Sequence, residues 1–235
     1  MAFYSWSNTC KGRVRAQNQD SVYVNDKAGI WLIADGMGGH AAGDFASNLI
    51  SQELPRLLLK GEEPLDAISS CHKRLIEAEQ SDAKYRGMGT TLILGLWRNN
   101  TLSIYWVGDS RAYILSDDNI QLLTKDHTVV QKLIDLNLLS EDLAAHHPDK
   151  NKLTQCLGGG NNYPPQVSAI EINVGNNDTL LLCSDGLYNE LNAKQMHKIL
   201  HHSNDKESSL KQLFLLANAA GGRDNISAVI LNRIM

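Results

Sequence analysis

The chain of 235 residues carries 26 acidic and 22 basic side chains, a formal net charge of −4, and 43% of its residues are hydrophobic. Such a length and composition favour one large globular domain, which we place at residues 1–235. The acidic balance argues against a duplex nucleic-acid binder, and the absence of an apolar run of about 18 residues argues against a membrane-spanning helix. Because the N-terminus lacks the apolar core of a secretion signal, we expect a cytoplasmic protein.

The predicted elements begin with a strand at residues 30–34, an apolar run that ends in Asp35-Gly36. Apolar residues then follow helical spacing from residue 45 to residue 58, with Pro55 as a kink or stop. Pro64 opens a second helical stretch, since proline is favoured in the first turn of a helix. These two helices are expected to pack together as an α-hairpin.

The middle of the chain has the composition of strands, rich in β-branched and aromatic residues. The runs lie at residues 91–97, 101–107, 111–115 and 120–123. Loops of about two to four residues between them permit only antiparallel neighbours, so these strands are predicted to form one meander.

The last part of the chain mixes both kinds of element. A helical stretch at 129–145 and a polar segment at 146–150 predict a surface excursion rather than core. The remaining predictions are strands at 167–174, 179–183 and 226–231 and helices at 193–201 and 208–219, the last one stopped by Gly221-Gly222. Strands and helices segregate rather than alternate, which predicts the α+β class with two mostly antiparallel sheets.

Aspartates stand at the ends of four predicted strands, each beside or near a glycine: Asp35, Asp109, Asp185 and Asp224. A single Asp-Gly after a strand is usually a turn. Four acids that converged at one end of a core would repel one another unless a cation lay between them. Carboxylates suit Mg²⁺ or Mn²⁺, and two such ions with a bridging carboxylate commonly hydrolyse phosphoesters. A metal-dependent phosphoesterase is therefore one candidate.

The four cysteines form no C-x-x-C pair. A structural zinc site needs thiolates or histidines at close paired spacings, so the sequence predicts none. Disulfides are not expected in a chain of this size without an export signal. We therefore predict four separate thiols.

Eight short motifs occur in order along the chain. They are Arg15-Ala16-Gln17-Asn18-Gln19-Asp20, Asp35-Gly36-Met37-Gly38-Gly39-His40, Gly89-Thr90-Thr91, Gly108-Asp109-Ser110-Arg111-Ala112-Tyr113, Thr124-Lys125-Asp126-His127, Leu153-Thr154-Gln155-Cys156-Leu157-Gly158, Cys183-Ser184-Asp185-Gly186-Leu187 and Asp224-Asn225. This ordered set resembles the metal-dependent protein phosphatases, the type 2C serine/threonine class, in their compact bacterial form. The resemblance implies a four-layer α-β-β-α sandwich, with two antiparallel sheets between helix pairs.

The resemblance also implies a metal centre. Asp35 would bridge two Mn²⁺ or Mg²⁺ ions, with the Gly36 carbonyl as a further ligand. Asp185 and Asp224 would complete the first ion, and Asp20 would serve the second through water.

Two further roles follow from the same resemblance. Asp109 would hold a third, weaker ion together with Asp185. Arg15 corresponds to the arginine that binds the substrate phosphate, a role that suits a planar guanidinium because it binds two phosphate oxygens at once. Hydrolysis in this family uses metal-activated water and no covalent intermediate.

Two residues depart from the family pattern. Gln19 stands where many members have glutamate, so a carboxylate function is lost there, although an amide can still hydrogen-bond a metal-bound water. Met37 stands where animal members have a histidine proposed as general acid. His40 is typical of bacterial members, and its role stays open between a turn-capping residue and a substrate contact.

Ser110 and Ser184 are the serines to weigh as nucleophiles. Gly-Asp-Ser at residues 108–110 also begins the motif of one esterase class, but the downstream Asp-x-x-His of that class is missing. A nucleophile elbow, G-x-S-x-G, is missing around Ser184. Both serines are therefore predicted to be structural hydrogen-bonding residues.

The expected function is hydrolysis of phosphoserine and phosphothreonine in proteins, with a bacterial serine/threonine kinase as the opposing enzyme. A phosphatase for one dedicated regulator or for a small phosphoester is the alternative. A pseudophosphatase that only binds phosphoproteins would lack a metal acid, whereas all five aspartates are present. We expect a monomer with no nucleic-acid or membrane partner, and a flap at about residues 128–152 that shapes substrate choice.

Overall fold

The computed structural model describes residues 2–38, 42–116, 119–144, 146–160, 163–175, 178–202 and 205–234. The strands are β1 (Ala2–Cys10), β2 (Asp20–Asn25), β3 (Ile30–Met37), β4 (Gly89–Thr90), β5 (Leu92–Arg98), β6 (Thr101–Val107), β7 (Arg111–Ser116), β8 (Asn119–Leu122), β9 (Leu157–Gly158), β10 (Ser168–Ile172), β11 (Thr179–Cys183) and β12 (Ile226–Ile234). The helices are α1 (Ala42–Leu59), α2 (Pro64–Ser81), α3 (Val129–Asp135), α4 (Glu141–Ala144), α5 (Asp185–Tyr188), α6 (Ala193–His201) and α7 (Lys206–Ala220), with a 3₁₀ turn at Ala83–Tyr85.

The strands form two sheets. One has five strands in the order β1-β12-β11-β7-β8, and the other has seven, in the order β10-β6-β5-β3-β4-β9 with β2 attached to β3. All pairings between the described strands are antiparallel. The predicted α+β class with two antiparallel sheets is therefore confirmed.

Strands that are buried on both faces produce four layers. In β3, Trp31 and Ile33 pack in the cluster between the two sheets, while Leu32 and Ala34 pack under α1 and α2. The five-stranded sheet likewise packs one face against the other sheet and its second face against α6 and α7. Alternate side chains of a strand point to opposite faces, so an unbroken apolar run indicates burial on both sides. The α-β-β-α sandwich implied by the motifs is present.

The predicted meander is wrong. The hairpin β5–β6 belongs to the seven-stranded sheet, whereas β7–β8 belongs to the five-stranded sheet. The chain changes sheets at residues 108–110, where Gly108 has a φ of +100° and a Cβ would lie 2.7 Å from Thr91 Cγ2. A short loop brings two strand ends together without requiring that the strands share a sheet. The crossing places Asp109 between the two sheets.

The helix predictions differ from the structure in detail. Helix α1 continues through Pro55 to Leu59, so the alternative in which Pro55 stops the helix is wrong. Its apolar face, including the fully buried Ile50 and Leu54, packs on the sheet, and such tertiary packing outweighs one lost backbone hydrogen bond. Helix α7 runs from Lys206 to Ala220, slightly longer than the predicted 208–219, and Gly222 follows with a φ of +55°.

The strands β1 and β2 lie outside the predicted elements. Polar residues such as Ser5 and Ser7 obscure the strand character of β1, which nevertheless pairs with β12 along its whole length. The predicted surface excursion is present, with α3 and α4 between β8 and β9 and an exposed Leu138. Among the helices in the described ranges, none has the length and apolar character needed to cross a lipid bilayer.

Candidate active site

The predicted site residues meet at one edge of the two sheets. A cleft of about 530 Å³ is lined by Arg15, Asp35, Gly36, Asp109, Asp185 and Asp224. Asp20 is buried beside this cleft and pairs directly with Asp35 across the β2–β3 ladder. His40 lies outside the described residues, so its role stays a prediction. The acids at the strand ends are thus neighbours in space.

Rigid elements carry these acids. They lie at the start of β2 (Asp20), near the end of β3 (Asp35), after β6 (Asp109), at the start of α5 directly behind β11 (Asp185) and just before β12 (Asp224). In an antiparallel sheet the end of one strand lies beside the start of the next. Acids at such positions therefore reach the same edge even though they are far apart in sequence.

The carboxyl groups of Asp20 and Asp35 are direct cross-strand neighbours. Like charges in this arrangement destabilise a sheet, because the two Cβ atoms are only about 5 Å apart. The hydroxyls of Ser184 and Ser227 donate to Asp20 Oδ2 at 2.9 and 2.6 Å. Asp20 Oδ1 is buried and has no hydrogen-bond partner among the described residues. Burial raises the pKa of Asp20 to about 6, although both hydroxyls oppose the shift.

The other acids also disfavour one another's ionised forms. Burial, followed by the charges of Asp20 and Asp185, raises the pKa of Asp35 well above its ordinary value. Burial and the charges of Asp109 and Asp224 do the same to the pKa of Asp185. The pKa of Asp109 rises to about 7, mainly through burial. A bound cation would relieve this repulsion, because its charge favours the carboxylate forms.

Arg15 faces the acids from the turn segment between β1 and β2. Its Nε and Nη2 donate to Asp224 Oδ1 and Oδ2 at 2.8 and 2.7 Å. The Arg15 side chain is nevertheless 56% exposed. The guanidinium therefore lines the cleft and is accessible from solvent while it binds Asp224.

The backbone at Gly36 passes through a narrow gap. A Cβ on Gly36 would lie 2.1 Å from the carbonyl oxygen of Gly43 and 2.6 Å from that of Gln19. Only glycine lets the start of α1 come this close to the end of β3. Gln19 and Met37, the two departures from the family pattern, both line the cleft.

The loop that carries Asp109 is held by side chains from other elements. The Tyr188 hydroxyl donates to the Asp109 carbonyl oxygen at 3.0 Å, and the Gly108 N–H donates to His127 Nδ1 at 3.2 Å. The Arg111 guanidinium lies 3.8 Å above the Tyr188 ring. These contacts fix the Asp109 backbone at the point where the chain crosses between sheets.

Both serines are structural hydrogen-bonding residues, as predicted. The hydroxyl of Ser110 is 2.8 Å from Thr91 Oγ1, which in turn accepts from the Asp35 N–H at 3.1 Å. Ser184 donates to Asp20, and both serines are buried. They hold the acids in place rather than facing the cleft.

Some functional residues escape the sequence patterns. The flap side of the cleft is lined by Asn151 and Leu153, followed by Thr154, Gln155 and Cys156. The last three and Leu153 belong to a recognised motif, but no charge or periodicity marks Asn151. Ser227, which binds Asp20, has no such mark either, because it lies inside an apolar strand.

The donor chemistry of the cleft fits a hard divalent cation. Five carboxylates and a buried, unpartnered Asp20 Oδ1 supply oxygen ligands of the kind that Mg²⁺ and Mn²⁺ prefer. Within the described ranges, no three His, Cys, Asp or Glu side chains are arranged to hold one ion. Both carboxylate oxygens of Asp224 accept from Arg15, whereas Asp20 binds its two serines through Oδ2 alone and keeps Oδ1 without a partner among the described residues. All four cysteines are free, as predicted.

Comparison with known proteins gives one consistent family. The family described as "Protein phosphatase 2C" matches residues 12–228. The "Serine/threonine phosphatase stp" of Listeria innocua is 35% identical over 238 residues, which cover 96% of this chain and 94% of that protein.

Solved structures agree with this result. The crystal structure of the Mycobacterium tuberculosis serine/threonine phosphatase PstP/Ppp has a TM-score of 0.89 and 32% identity, and the match covers 100% of both chains. A catalytic domain of the serine/threonine protein phosphatase PstP in complex with 2 manganese ions has a TM-score of 0.83 and 31% identity, with 98% of each chain covered. The predicted architecture is therefore confirmed.

Proposed function

We propose that this chain, which belongs to the protein phosphatase 2C family, hydrolyses phosphoserine and phosphothreonine in proteins with the help of divalent cations. The observation that carries the proposal is one cleft in which four acids at strand ends, among them the half-buried Asp35 and Asp185, lie with the accessible Arg15. The two kinds of group suit hydrolysis of a phosphoester, since acids hold the cations and arginine binds the phosphate. The serine/threonine phosphatases Stp and PstP support the choice of substrate.

Asp35 is proposed to bridge two cations, with the Gly36 carbonyl as a further ligand. Asp185 and Asp224 hold the first cation, and Asp20 serves the second. When bound, Mn²⁺ or Mg²⁺ lowers the pKa of a water molecule and offsets the charge of the phosphate oxygens. The manganese complex of PstP supports the choice of ion.

Asp109 is proposed to hold a third, weaker cation together with Asp185. Its backbone is fixed by Tyr188, whose hydroxyl donates to its carbonyl oxygen, so the carboxyl group has a defined position at the rim of the cluster. A single extra carboxylate beside Asp185 supplies fewer ligands than the central site has. We therefore expect this position to bind its cation with the lowest affinity of the three.

Arg15 is proposed to donate to two non-bridging oxygens of the substrate phosphate. The guanidinium already makes two parallel hydrogen bonds to Asp224, and a phosphate offers it the same geometry. Because the side chain is largely exposed, it can exchange partners without disturbing the core. Asp224 would then be free to bind a cation while Arg15 binds substrate.

The remaining parts of the proposal concern the setting of the reaction. We infer phosphorylated proteins as substrates, a serine/threonine kinase as the opposing enzyme, and a monomer in the cytoplasm with residues 1–235 as one catalytic domain. The flap at residues 128–152 is proposed to shape substrate choice, since Asn151 from this segment lines the cleft.

The proposal is tested by hydrolysis of a phosphothreonine peptide with Mn²⁺, Mg²⁺, Ca²⁺ or EDTA. We expect turnover with Mn²⁺ or Mg²⁺ that stops in EDTA. Asp66→Asn, an exchange at an exposed position of α2 outside the cleft lining, is the control and should keep full activity. A folded chain without turnover in any of these ions would overturn the proposal.

A further inference from the structure

The segment at residues 11–19, which we call the Arg15 segment, has no core of its own. It joins β1 to β2 without a helix or strand, and none of its residues is buried. Val14, its largest apolar residue, is 68% exposed. A segment with so little apolar contact depends on hydrogen bonds for its position.

Asn225 supplies three of these bonds from a single buried side chain. It is 5% exposed, and its amide contacts the main chain at both ends of the Arg15 segment. Nδ2 donates to the carbonyl oxygens of Lys11 at 3.1 Å and Gln17 at 2.8 Å. Oδ1 accepts from the Gln19 N–H at 2.9 Å.

These three bonds also fix which way the amide points. Two carbonyl groups require the NH₂ end of Asn225, and one N–H requires the oxygen end, so the reverse orientation would lose all three bonds. Aspartate has the same shape but no donor. It would place a negative charge against the carbonyls of Lys11 and Gln17.

Asn225 is attached to a rigid part of the fold. The next residue, Ile226, begins β12, which pairs with β1 on one side and β11 on the other. The same turn adds a second attachment, because the Gly222 carbonyl oxygen accepts from the Arg13 N–H at 2.7 Å. Closing both ends of the segment on this base restricts the positions that Arg15 can reach.

We propose that Asn225 is a positioning residue that holds Arg15 over the cleft, so that phosphate binding by Arg15 depends on it. This inference rests on the proposed function, because it assumes that Arg15 binds the phosphate of the substrate. Asn225 is also among the residues that line the cleft, but all three bonds of its amide go to backbone groups on either side of Arg15, and we assign its effect to these bonds.

A double-mutant cycle in the full chain tests this dependence. We expect Arg15→Ala to lower kcat/KM for a phosphothreonine peptide about 100-fold, as for loss of one preorganised donor. Asn225→Ala should lower it about tenfold and weaken inhibition by inorganic phosphate to a similar degree. If Asn225 acts through Arg15, the double variant should be within about twofold of Arg15→Ala alone, since groups in one network are not additive.

Asn232→Ala is the matched control, since it removes an asparagine from β12, the strand that begins directly after Asn225. Its Oδ1 accepts from the Thr179 hydroxyl at 2.8 Å, outside the cleft lining. This variant should leave kcat/KM unchanged. A double variant that shows the product of the two single losses would contradict the inference, as would unchanged phosphate inhibition in Asn225→Ala.

Limited trypsin digestion gives a readout that does not depend on activity. Arg13 and Arg15 both lie in the Arg15 segment, and cleavage there follows the population of the opened segment. We expect cleavage to be at least about tenfold faster in Asn225→Ala than in Asn232→Ala. The shape-preserving variant Asn225→Asp should show the same change, which covers the case in which Asn225→Ala does not fold. Unchanged cleavage would overturn the inference even if the wild-type chain proved inactive, whereas inactivity alone would overturn only the proposed function.

Discussion

The acid cluster and the Arg15 segment form two walls of one cleft, and they are built by different means. Asp35 lies in β3, whose preceding residues 30–34 are all buried. Asp185 lies two residues after the end of β11, all of whose residues are buried. Arg15 lies in a segment of turns with no buried residue. Sheets therefore hold the acids in place despite their mutual repulsion, whereas a few long-range hydrogen bonds hold the arginine.

The difference follows from what each wall has to do. Crowded carboxylates disfavour folding of the metal-free chain, so they need a surrounding core that is stable enough to tolerate them. Arg15 exchanges its partner between Asp224 and a phosphate in our account, which a rigidly packed side chain could not do. Rigid acids and a movable arginine thus fit the two tasks.

The largest effect that would sharpen this contrast is expected from Asp35→Asn. Turnover should fall on the order of 10⁴-fold, as for loss of an essential catalytic group. The metal-free variant should at the same time unfold at a higher temperature than the wild type, because one of two opposed carboxyl groups no longer ionises. Calorimetry in EDTA and peptide hydrolysis with Mn²⁺ measure the two effects. Near-normal turnover at saturating Mn²⁺ would remove Asp35 from the metal centre.

A smaller effect is expected when a support of the acid cluster is removed. Ser227→Ala deletes a buried hydroxyl that donates to Asp20 at 2.6 Å. The free energy of unfolding should fall by about 1.5–3 kcal/mol, the contribution of one hydrogen bond to a charged group, while Ser184 still donates to the same oxygen. Urea unfolding measures it, with Ser81→Ala on the exposed end of α2 as control. Equal stability of the two variants would mean that Asp20 does not depend on this bond.

The crowded acids should also make the free energy of unfolding depend on pH. The folded pKa values of Asp20 and Asp109, about 6 and about 7, exceed the ordinary value of 3.8. The folded chain therefore binds more protons than the unfolded chain in this window, so these two groups lower the free energy of unfolding as pH rises from 3.8 to about 7.

Comparison with Asp109→Asn isolates this contribution from that of other groups. In EDTA, the wild type should lose more stability than the variant between about pH 5 and pH 8. Urea unfolding at several pH values measures the two slopes. Identical slopes would show that Asp109 is not forced to ionise in a crowded site.

The smallest effect on the chemistry is expected from the flap. Replacing residues 140–150 by a neutral linker should change kcat/KM for different phosphopeptides unequally, while a small aryl phosphate is cleaved at nearly the original rate. The reason is that the flap reaches the cleft through Asn151, directly after the replaced residues, and contributes no acid to the cluster. Equal losses on peptides and aryl phosphate would instead assign the flap to catalysis.

The contrast between the acid cluster and the Arg15 segment also explains which parts of the structure can be predicted from the sequence. Unbroken apolar runs identify β3, β6, β11 and β12, so the acids beside them could be found from spacing alone. Asp20 could not, because β2 holds only a short apolar run, Val22–Val24, and begins and ends with polar residues, so only the family resemblance marks Asp20. The meander prediction failed since loop length does not specify which sheet a strand joins.

The supports of Arg15 were beyond any local pattern. Asn225 binds Gln19 and Lys11, which are 206 and 214 residues away in sequence. Nothing in the residues near Asn225 indicates such partners, whereas the ends of strands are visible in a short window. The sequence therefore predicts the acid cluster of the cleft well, and the hydrogen bonds that hold the Arg15 segment poorly.

The metal centre is tested most decisively by titrating Mn²⁺ into the metal-free chain and detecting the bound ions by electron paramagnetic resonance. We expect two strongly bound ions per wild-type chain, bridged by Asp35. Asp35→Asn should lose at least one of them, while Asp66→Asn should bind as the wild type does. A wild-type chain that binds no Mn²⁺, or an Asp35→Asn variant that binds it unchanged, would contradict the claim that the acids at the strand ends form the metal centre.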